Sequence, residues 1–168
     1  MKSHEIGDTE YIFYNPEVRY ATRGVVINEK DEVLILTYKK YAFSVLPGGG
    51  LEEGENPEEG FKREILEETG VDCKIIAALP TIIDKRSAEN LIQYHYAFIA
   101  RVSGDVDHQQ LDDGEIADGV EVESLSFFQG MTKIFEQETA TFQQTCLSKR
   151  DCFIMKESLL YLFSDKLK

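Results

Sequence analysis

A helix that keeps three carboxylates on one face, directly behind a glycine-rich loop, is the most restrictive feature of this 168-residue chain. It lies within Gly49–Val71, GGLEEGENPEEGFKREILEETGV. An α-helix turns by about 100° per residue, so Glu64, Glu67 and Glu68, at i, i+3 and i+4, share a narrow face. Like charges at this spacing mildly destabilise a helix. A chain that keeps such a cluster usually holds hard cations there, and carboxylate oxygens suit Mg2+, Mn2+ or Ca2+ better than zinc or copper. Asn56-Pro57-Glu58-Glu59 reads as the helix start: a good N-cap, proline at the first helical position, then acids in the first turn. Gly70 is placed to end the helix. Phe61 and Ile65, four apart, form its packing face. Gly60 costs roughly 1 kcal/mol of helix propensity but leaves room for close packing.

The spacing inside the stretch is specific. Five residues separate Gly49 from Glu55, and seven more precede Arg63-Glu64; Ile65, Glu67, Glu68, Gly70 and Val71 follow. All nine fixed or restricted positions of the pattern G-x5-E-x7-R-E-U-x-E-E-x-G-U, with U a bulky aliphatic residue, are met over 23 contiguous residues. This pattern is the Nudix box, so the chain resembles the Nudix hydrolase superfamily, of the MutT-like type. An ordinary solvated acidic helix would explain neither the glycines nor the lone arginine at its set place.

Charge and composition narrow the partners. The formal net charge is −13, which argues against duplex DNA or RNA, whose phosphate backbones need a basic surface. It leaves open a small phosphorylated substrate carried in with metal ions. The box holds eight of the 31 acids against two basic residues, Lys62 and Arg63, so part of the acidity belongs to the candidate site. The chain has no apolar run near the ~18 residues a transmembrane helix needs. Its N-terminal stretch lacks the apolar core of a signal peptide. The expected setting is a soluble, cytoplasmic enzyme with no membrane partner. Cys73, Cys146 and Cys152, with no CxxC pair, suit reduced, buried thiols and indicate no zinc site.

In chain order, residues 1–20 contain EYIFY and a turn at Asn15-Pro16, and read as an edge strand or an N-terminal arm. Tyr11, Phe13 and Tyr14 pack either into the core or on a partner chain, and such an arm suits a homodimer. Residues 22–38 place the polar NEKD between GVVI and EVLIL, the pattern of a β-hairpin. Phe43–Leu46 reads as a strand delivering the chain to the box, where Pro47 and three glycines permit a tight turn close to a ligand. Lys39 and Lys40 either hold a substrate phosphate or are solvated turn residues; Lys39 is the better phosphate candidate. Residues 71–83 read as a strand broken at Pro80, 84–90 as a polar loop, and 91–103 as a long strand with Tyr94, Tyr96 and Phe98 in a stripe. His95, on the other face, is a proton carrier or, preferably, a satisfied and partly buried structural histidine. Residues 104–119 read as a loop, VEVESLSFFQG as a short strand and turn, and 130–168 as outer helices with apolar positions three and four apart.

The resemblance implies an α+β fold, an α/β/α sandwich around a mixed central β-sheet, spanning 1–168 as one domain. It implies Mg2+, with Mn2+ possible, held by the Gly48 carbonyl, Glu67 and Glu68, with Glu64 as a further ligand or the base. A loop before a late strand often supplies one more glutamate; Glu115 is the candidate, with Asp112, Asp113 and Glu121 behind it. Arg63 and Glu55 form an ion pair that fixes loop against helix, making Arg63 an orienting member of the catalytic set; Gly49 and Gly70 support the box. The implied reaction is hydrolysis of a nucleoside diphosphate linked to another group: a nucleotide sugar, an ADP-ribose-like compound or a (deoxy)nucleoside triphosphate. The region beyond the box, KRSAEN, lacks the proline or tyrosine marker of some subgroups. Tyr38, Tyr41, Phe43 and Tyr94 are candidates for base stacking or for core. The alternative is a nucleotide-sensing binding or regulatory module of the same fold; such modules often lose box glutamates, and none is missing. An isomerase of this fold usually departs from the box.

Overall fold

Alternation of apolar residues along the strands decides the architecture, because the central strands bury both faces. The computed structural model describes residues 2–106 and 109–164. Met1 of the expected N-terminal arm, residues 107–108 of the expected loop and residues 165–168 of the expected outer helices lie outside the described residues. The strands are β1 (Ser3–Gly7), β2 (Glu17–Ile27), β3 (Glu32–Tyr38), β4 (Phe43–Val45), β5 (Val71–Ala78), β6 (Thr81–Arg86), β7 (Leu91–Val106) and β8 (Val120–Ser126). The α-helices are α1 (Pro57–Thr69), α2 (Asp113–Asp118), α3 (Phe127–Glu136) and α4 (Phe142–Ser164). The sheet runs β1-β6-β7-β2-β3-β4, with β5 also paired to β7 and β8 to β3. The β1/β6 and β2/β7 pairs are parallel and the others antiparallel, so the sheet is mixed.

Val26, Leu34, Phe98 and Ala100 point to one face and pack with Phe61 and Ile65 of α1. Their neighbours Val25, Ile27, Val33, Ile35, Ala97 and Ile99 point the other way and pack with Ile134 of α3 and with Ile154 and Met155 of α4. Period-two strands thus separate two apolar layers, and the result is the expected α/β/α sandwich.

Several local expectations change. The hairpin over 22–38 exists only at its turn. There the Asn28 N–H donates to Glu32 O at 2.8 Å, and Ile27 and Val33 pair. Beyond it β2 pairs with β7 along its whole length and β3 with β8, because those partners cover longer apolar faces. Residues 71–83 form two strands on either side of Pro80, both on β7. The expected loop over 84–90 is strand up to Arg86. Asp84 and Arg86 are buried and pair with each other, so two charges in sequence lie inside the fold. Within 104–119, α2 forms, started by a capping box of Asp112 and Glu115. The outer helices begin at Phe127, after a second capping box of Ser126 and Gln129. At the N-terminus β1 pairs with β6 at the end of the sheet, Tyr11 packs edge-on to Phe13 at 5.0 Å and Tyr14 stands 90% exposed. The three cysteines are free, with Cys73 and Cys146 buried.

Candidate active site

Helix α1 begins and ends as its sequence dictates. Asn56 Oδ1 accepts the N–H groups of Glu58 and Glu59, both at 3.0 Å. Gly70 closes the helix at φ 71° and donates to Leu66 O at 2.9 Å. Phe61 and Ile65 are fully buried, and the Phe61 ring lies 5.2 Å from that of Phe98. With this face fixed on the sheet, Glu64, Glu67 and Glu68 project along its flank toward the glycine loop.

Arg63 gathers the loop and the carboxylates. Its Nε and Nη2 grip Glu55 as a fork, at 2.9 and 3.0 Å. Nη1 donates to both Glu64 and Glu67 at 2.9 Å, and Nη2 also reaches Gly50 O at 2.9 Å. The guanidinium holds the Glu55 carboxyl below its ordinary range, and Glu55 in turn raises the proton affinity of Arg63.

Glu68 differs from its neighbours. It is 3% exposed, and its Oε2 accepts the Gly48 N–H at 2.5 Å. Burial pushes its carboxyl up to about 8, with the charges of Glu64 and Glu115 adding to the rise and Arg23 and the Gly48 N–H opposing it. Gly48 must be glycine, and Gly49 leaves room for Glu64. Gly48 sits at φ +128°, and a Cβ would lie 2.4 Å from Thr22 O; at Gly49 a Cβ would lie 2.3 Å from Glu64 Oε2.

The segment that leads to Glu115 approaches α1 from the other side, while the Glu115 carboxylate accepts the Asp112 N–H of its own capping box at 2.8 Å. The Gln110 N–H donates to Glu67 O at 2.8 Å and Gln109 Nε2 to Glu68 O at 2.5 Å, so the segment entering α2 docks on the backbone of the two glutamates. Burial raises the Glu115 carboxyl, and the Asp112 and Glu67 charges add to it. Burial likewise raises Glu64, with Glu67 contributing. Asp113 stays exposed, and Glu121 pairs with Lys39, away from the cluster.

The donor set fits a hard divalent cation. All its side-chain donors are carboxylate oxygens, and Glu64, Glu68 and Glu115 are each raised by burial and by another carboxylate of the group. A cation relieves both effects. Among the described residues no three His, Cys, Asp or Glu side chains converge as a finished metal cage. The reason is visible: Glu64 and Glu67 are turned onto Arg63. Among the described residues no donor meets the Gly48 carbonyl, while that of Gly49 accepts the Thr22 N–H at 2.8 Å.

A cleft of about 480 Å3 lies beside Arg23, between the sheet and α4, lined by Tyr38, Tyr41, Phe43, Leu147 and Arg150 among others. Burial, with Glu68 adding, pushes the Tyr38 hydroxyl up to about 12, so it stays a donor at neutral pH. Arg23 Nη1 donates to Leu46 O at 3.2 Å, while its buried Nε has no partner among the described residues. Three stacking candidates thus meet in the cleft. Tyr94 does not; it stacks on Tyr20 at 5.5 Å, elsewhere on the sheet. The Lys39 ammonium lies on Glu121, and that of Lys40 on Asp118 at 2.6 Å. His95 is 1% exposed, and neither ring nitrogen has a partner among the described residues. The expectation of a satisfied, partly buried histidine is therefore corrected: it is fully buried, and burial, with the charges of Arg150, Arg23 and Arg86 adding, holds its imidazole well below its ordinary value.

Sequence reasoning passed over Arg23, Arg150 and Asp151. A signal was present: Cys146, Arg150, Ile154 and Ser158 recur every four residues, and all are buried, so the charge at 150 falls inside an inward stripe.

A sequence model described as NUDIX domain matches residues 18–140. The chain is 34% identical over 92 residues to the mouse (Mus musculus) protein 8-oxo-dGDP phosphatase NUDT18, covering 53% of this chain and 27% of that one. The chain spans 20% to 51% of the length of the curated relatives it matches. Its fold is similar to the MutT protein from Methanosarcina mazei Go1, with a TM-score of 0.56 at 21% identity, covering 82% of this chain and 96% of that one. It is also similar to the NUDIX hydrolase from Nitrosomonas europaea, with a TM-score of 0.59 at 18% identity, covering 80% and 89%.

Proposed function

The chain belongs to the Nudix family, and on that premise we propose that it is a divalent-metal-dependent pyrophosphohydrolase cleaving a nucleoside diphosphate linked to another group. The observation that carries this reading is the complete box gathered along one flank of α1: Arg63 orients Glu64 and Glu67, and the Gly48 N–H holds the buried Glu68.

Glu64, Glu67, Glu68 and Glu115, with the Gly48 carbonyl, would hold Mg2+ or Mn2+. When bound, such a cation neutralises phosphoryl oxygens and makes a bound water more acidic. Arg63 orients rather than binds phosphate, because Glu55, Glu64, Glu67 and Gly50 already engage it. Either Glu64 or Glu115 takes the proton of the attacking water; both carboxyls are raised. The cleft beside Arg23 receives the nucleoside between Tyr38, Tyr41 and Leu147, and its mouth gives Gln143 for polar contacts. The name of the mouse relative puts oxidised deoxynucleoside diphosphates first among substrates to try, followed by triphosphates, nucleotide sugars and ADP-ribose.

The test is a panel of these compounds incubated with purified protein and Mg2+ or Mn2+, read as released nucleoside monophosphate with the matching co-product: phosphate from diphosphates, pyrophosphate from triphosphates, and a sugar or ribose phosphate from the others. Turnover of at least one compound, abolished by chelator, is expected. Tight binding of a nucleotide with no product from any compound would instead make the chain a sensing module.

A further inference from the structure

Strand β4 is three residues long, and it carries the chain into the glycine turn. On one side it pairs with β3. On the other it would present bare backbone groups, which a buried edge cannot leave unpaired. Side chains from the C-terminal third of the chain fill that edge. Gln137, just past α3, accepts the Ser44 N–H through Oε1 at 2.8 Å and donates Nε2 to Ser44 O at 2.9 Å. Its amide copies the bonding of a further strand. Two residues on, Asp151 of α4 accepts the Leu46 N–H at 2.9 Å. Asp151 is fully buried and is itself held by Arg150 at 2.7 and 3.1 Å. Leu46 O accepts from Arg23. Pro47 O then accepts the Gly24 N–H at 3.2 Å, and the Gly48 N–H donates to Glu68.

We propose that Gln137 and Asp151 are positioning residues for the box, clamping the outer edge of β4 so that the Pro47–Gly49 turn presents the Gly48 N–H to Glu68. This rests on the functional reading above for its effect on turnover, but not for its effect on the loop. Asp151 lies beyond residues 18–140, so the clamp joins a segment outside the family match to the glycines inside it. Leu46, Pro47 and Gly48 are buried, and a Cβ added at Gly48 would lie 2.4 Å from Thr22 O and 3.0 Å from Arg23 Cα. A shift of β4 therefore moves Gly48 rather than being absorbed in a slack loop.

Two variants test the clamp. Gln137→Ala removes both bonds to Ser44 and leaves no buried charge. The double change Arg150→Met with Asp151→Leu removes the bond to Leu46 while replacing a buried ion pair by apolar groups, an exchange proteins often tolerate. Amide hydrogen exchange of Leu46 and Gly48, followed without substrate or metal, reads the loop directly. Both amides should exchange about tenfold faster or more in each variant, as expected where local opening replaces fixed bonding. In turnover, kcat should fall ~10–100-fold, the scale of a small misplacement of reacting groups. KM for Gln137→Ala, which does not line the cleft, should stay near that of the parent. Met155→Ala, one turn further along α4 in the core cluster and removing no hydrogen bond to β4, should lower stability while leaving kcat per folded molecule and Gly48 exchange unchanged.

Parental Gly48 exchange and parental kcat in the folded variants would overturn the proposal, as would an equal kcat loss in Met155→Ala. If the double variant does not fold, Gln137→Ala decides by the same readouts. If the parent protein hydrolyses nothing, the exchange result still stands or falls alone, and only the functional reading is lost.

Discussion

The two helices that sandwich the sheet both carry charge to it, but they do so in opposite ways. Helix α1 brings Glu64, Glu67 and Glu68 to a partly open flank, where one arginine meets an excess of carboxylates. Helix α4 brings Arg150 and Asp151 into a closed layer as a matched pair, 2% and 0% exposed at the side chain. An excess of one sign near solvent is a standing demand for a counter-ion. A balanced pair without solvent makes no such demand, and serves instead to fix what it touches. The first arrangement is suited to chemistry and the second to position.

Breaking the α1 side should cost activity and spare the fold. Glu68→Gln keeps the shape and the acceptor for Gly48 but removes the negative charge. Turnover should fall by 10^2-fold or more, in the range seen when a principal electrostatic contributor is lost. Because burial already raises the Glu68 carboxyl, the variant should melt no lower than the parent in chelator. Glu67→Gln should behave alike in turnover. Unchanged rates in both would remove these residues from the mechanism.

Breaking the α4 side should show first in stability. Arg150→Ala leaves Asp151 as a buried, unpaired charge, a change that costs about 3–5 kcal/mol. Urea denaturation should show that loss with the slope of the transition unchanged. A loss below about 1 kcal/mol, the range of surface pairs, would mean that water reaches the pair and that the contrast between the helices is weaker than drawn.

How much of this contrast could be read from sequence follows from distance along the chain. The α1 side was legible because its information is local. Asn56, Pro57, Phe61, Ile65 and Gly70 each act within one or two turns, and the glycine turn precedes them directly. Glu115 was reachable only by resemblance, since nothing between residues 68 and 115 announces that the loop at Gln109-Gln110 returns to cap α1. The α4 side was mostly illegible because its partners are remote. Gln137 meets Ser44, Asp151 meets Leu46, and β2 leaves its apparent hairpin partner for β7. DKR at 84–86 reads as loop because the sequence shows three charges in a row, not that Asp84 and Arg86 neutralise each other out of water.

The closed layer also makes a pH prediction. Burial first, then the charges of Arg150 on α4, Arg23 on β2 and Arg86 on β6, hold His95 well below its ordinary value of 6.5. Below about pH 6.5 the unfolded chain therefore takes up a proton that the folded chain refuses, so stability is lost as pH falls through that range. His95→Gln cannot take up that proton, so its melting temperature should fall less than the parent's between about pH 7 and pH 5, where an ordinary histidine titrates. Identical slopes would show that His95 is hydrated in the fold.

The smallest expected effect concerns Lys39, which the sequence offered as a phosphate ligand. Its ammonium lies on Glu121, with 61% and 57% of the two side chains exposed. A pair so open contributes about 0–1 kcal/mol, and α2 and Lys40 already anchor the neighbouring turn through Asp118. Lys39→Met should therefore leave stability, kcat and KM near the parent's. A KM raised several-fold at unchanged kcat would return Lys39 to the substrate, because losing a cation that binds ground and transition states alike weakens binding without slowing the chemical step. It would also extend the charged working surface of the α1 side beyond the box to the rim at β3.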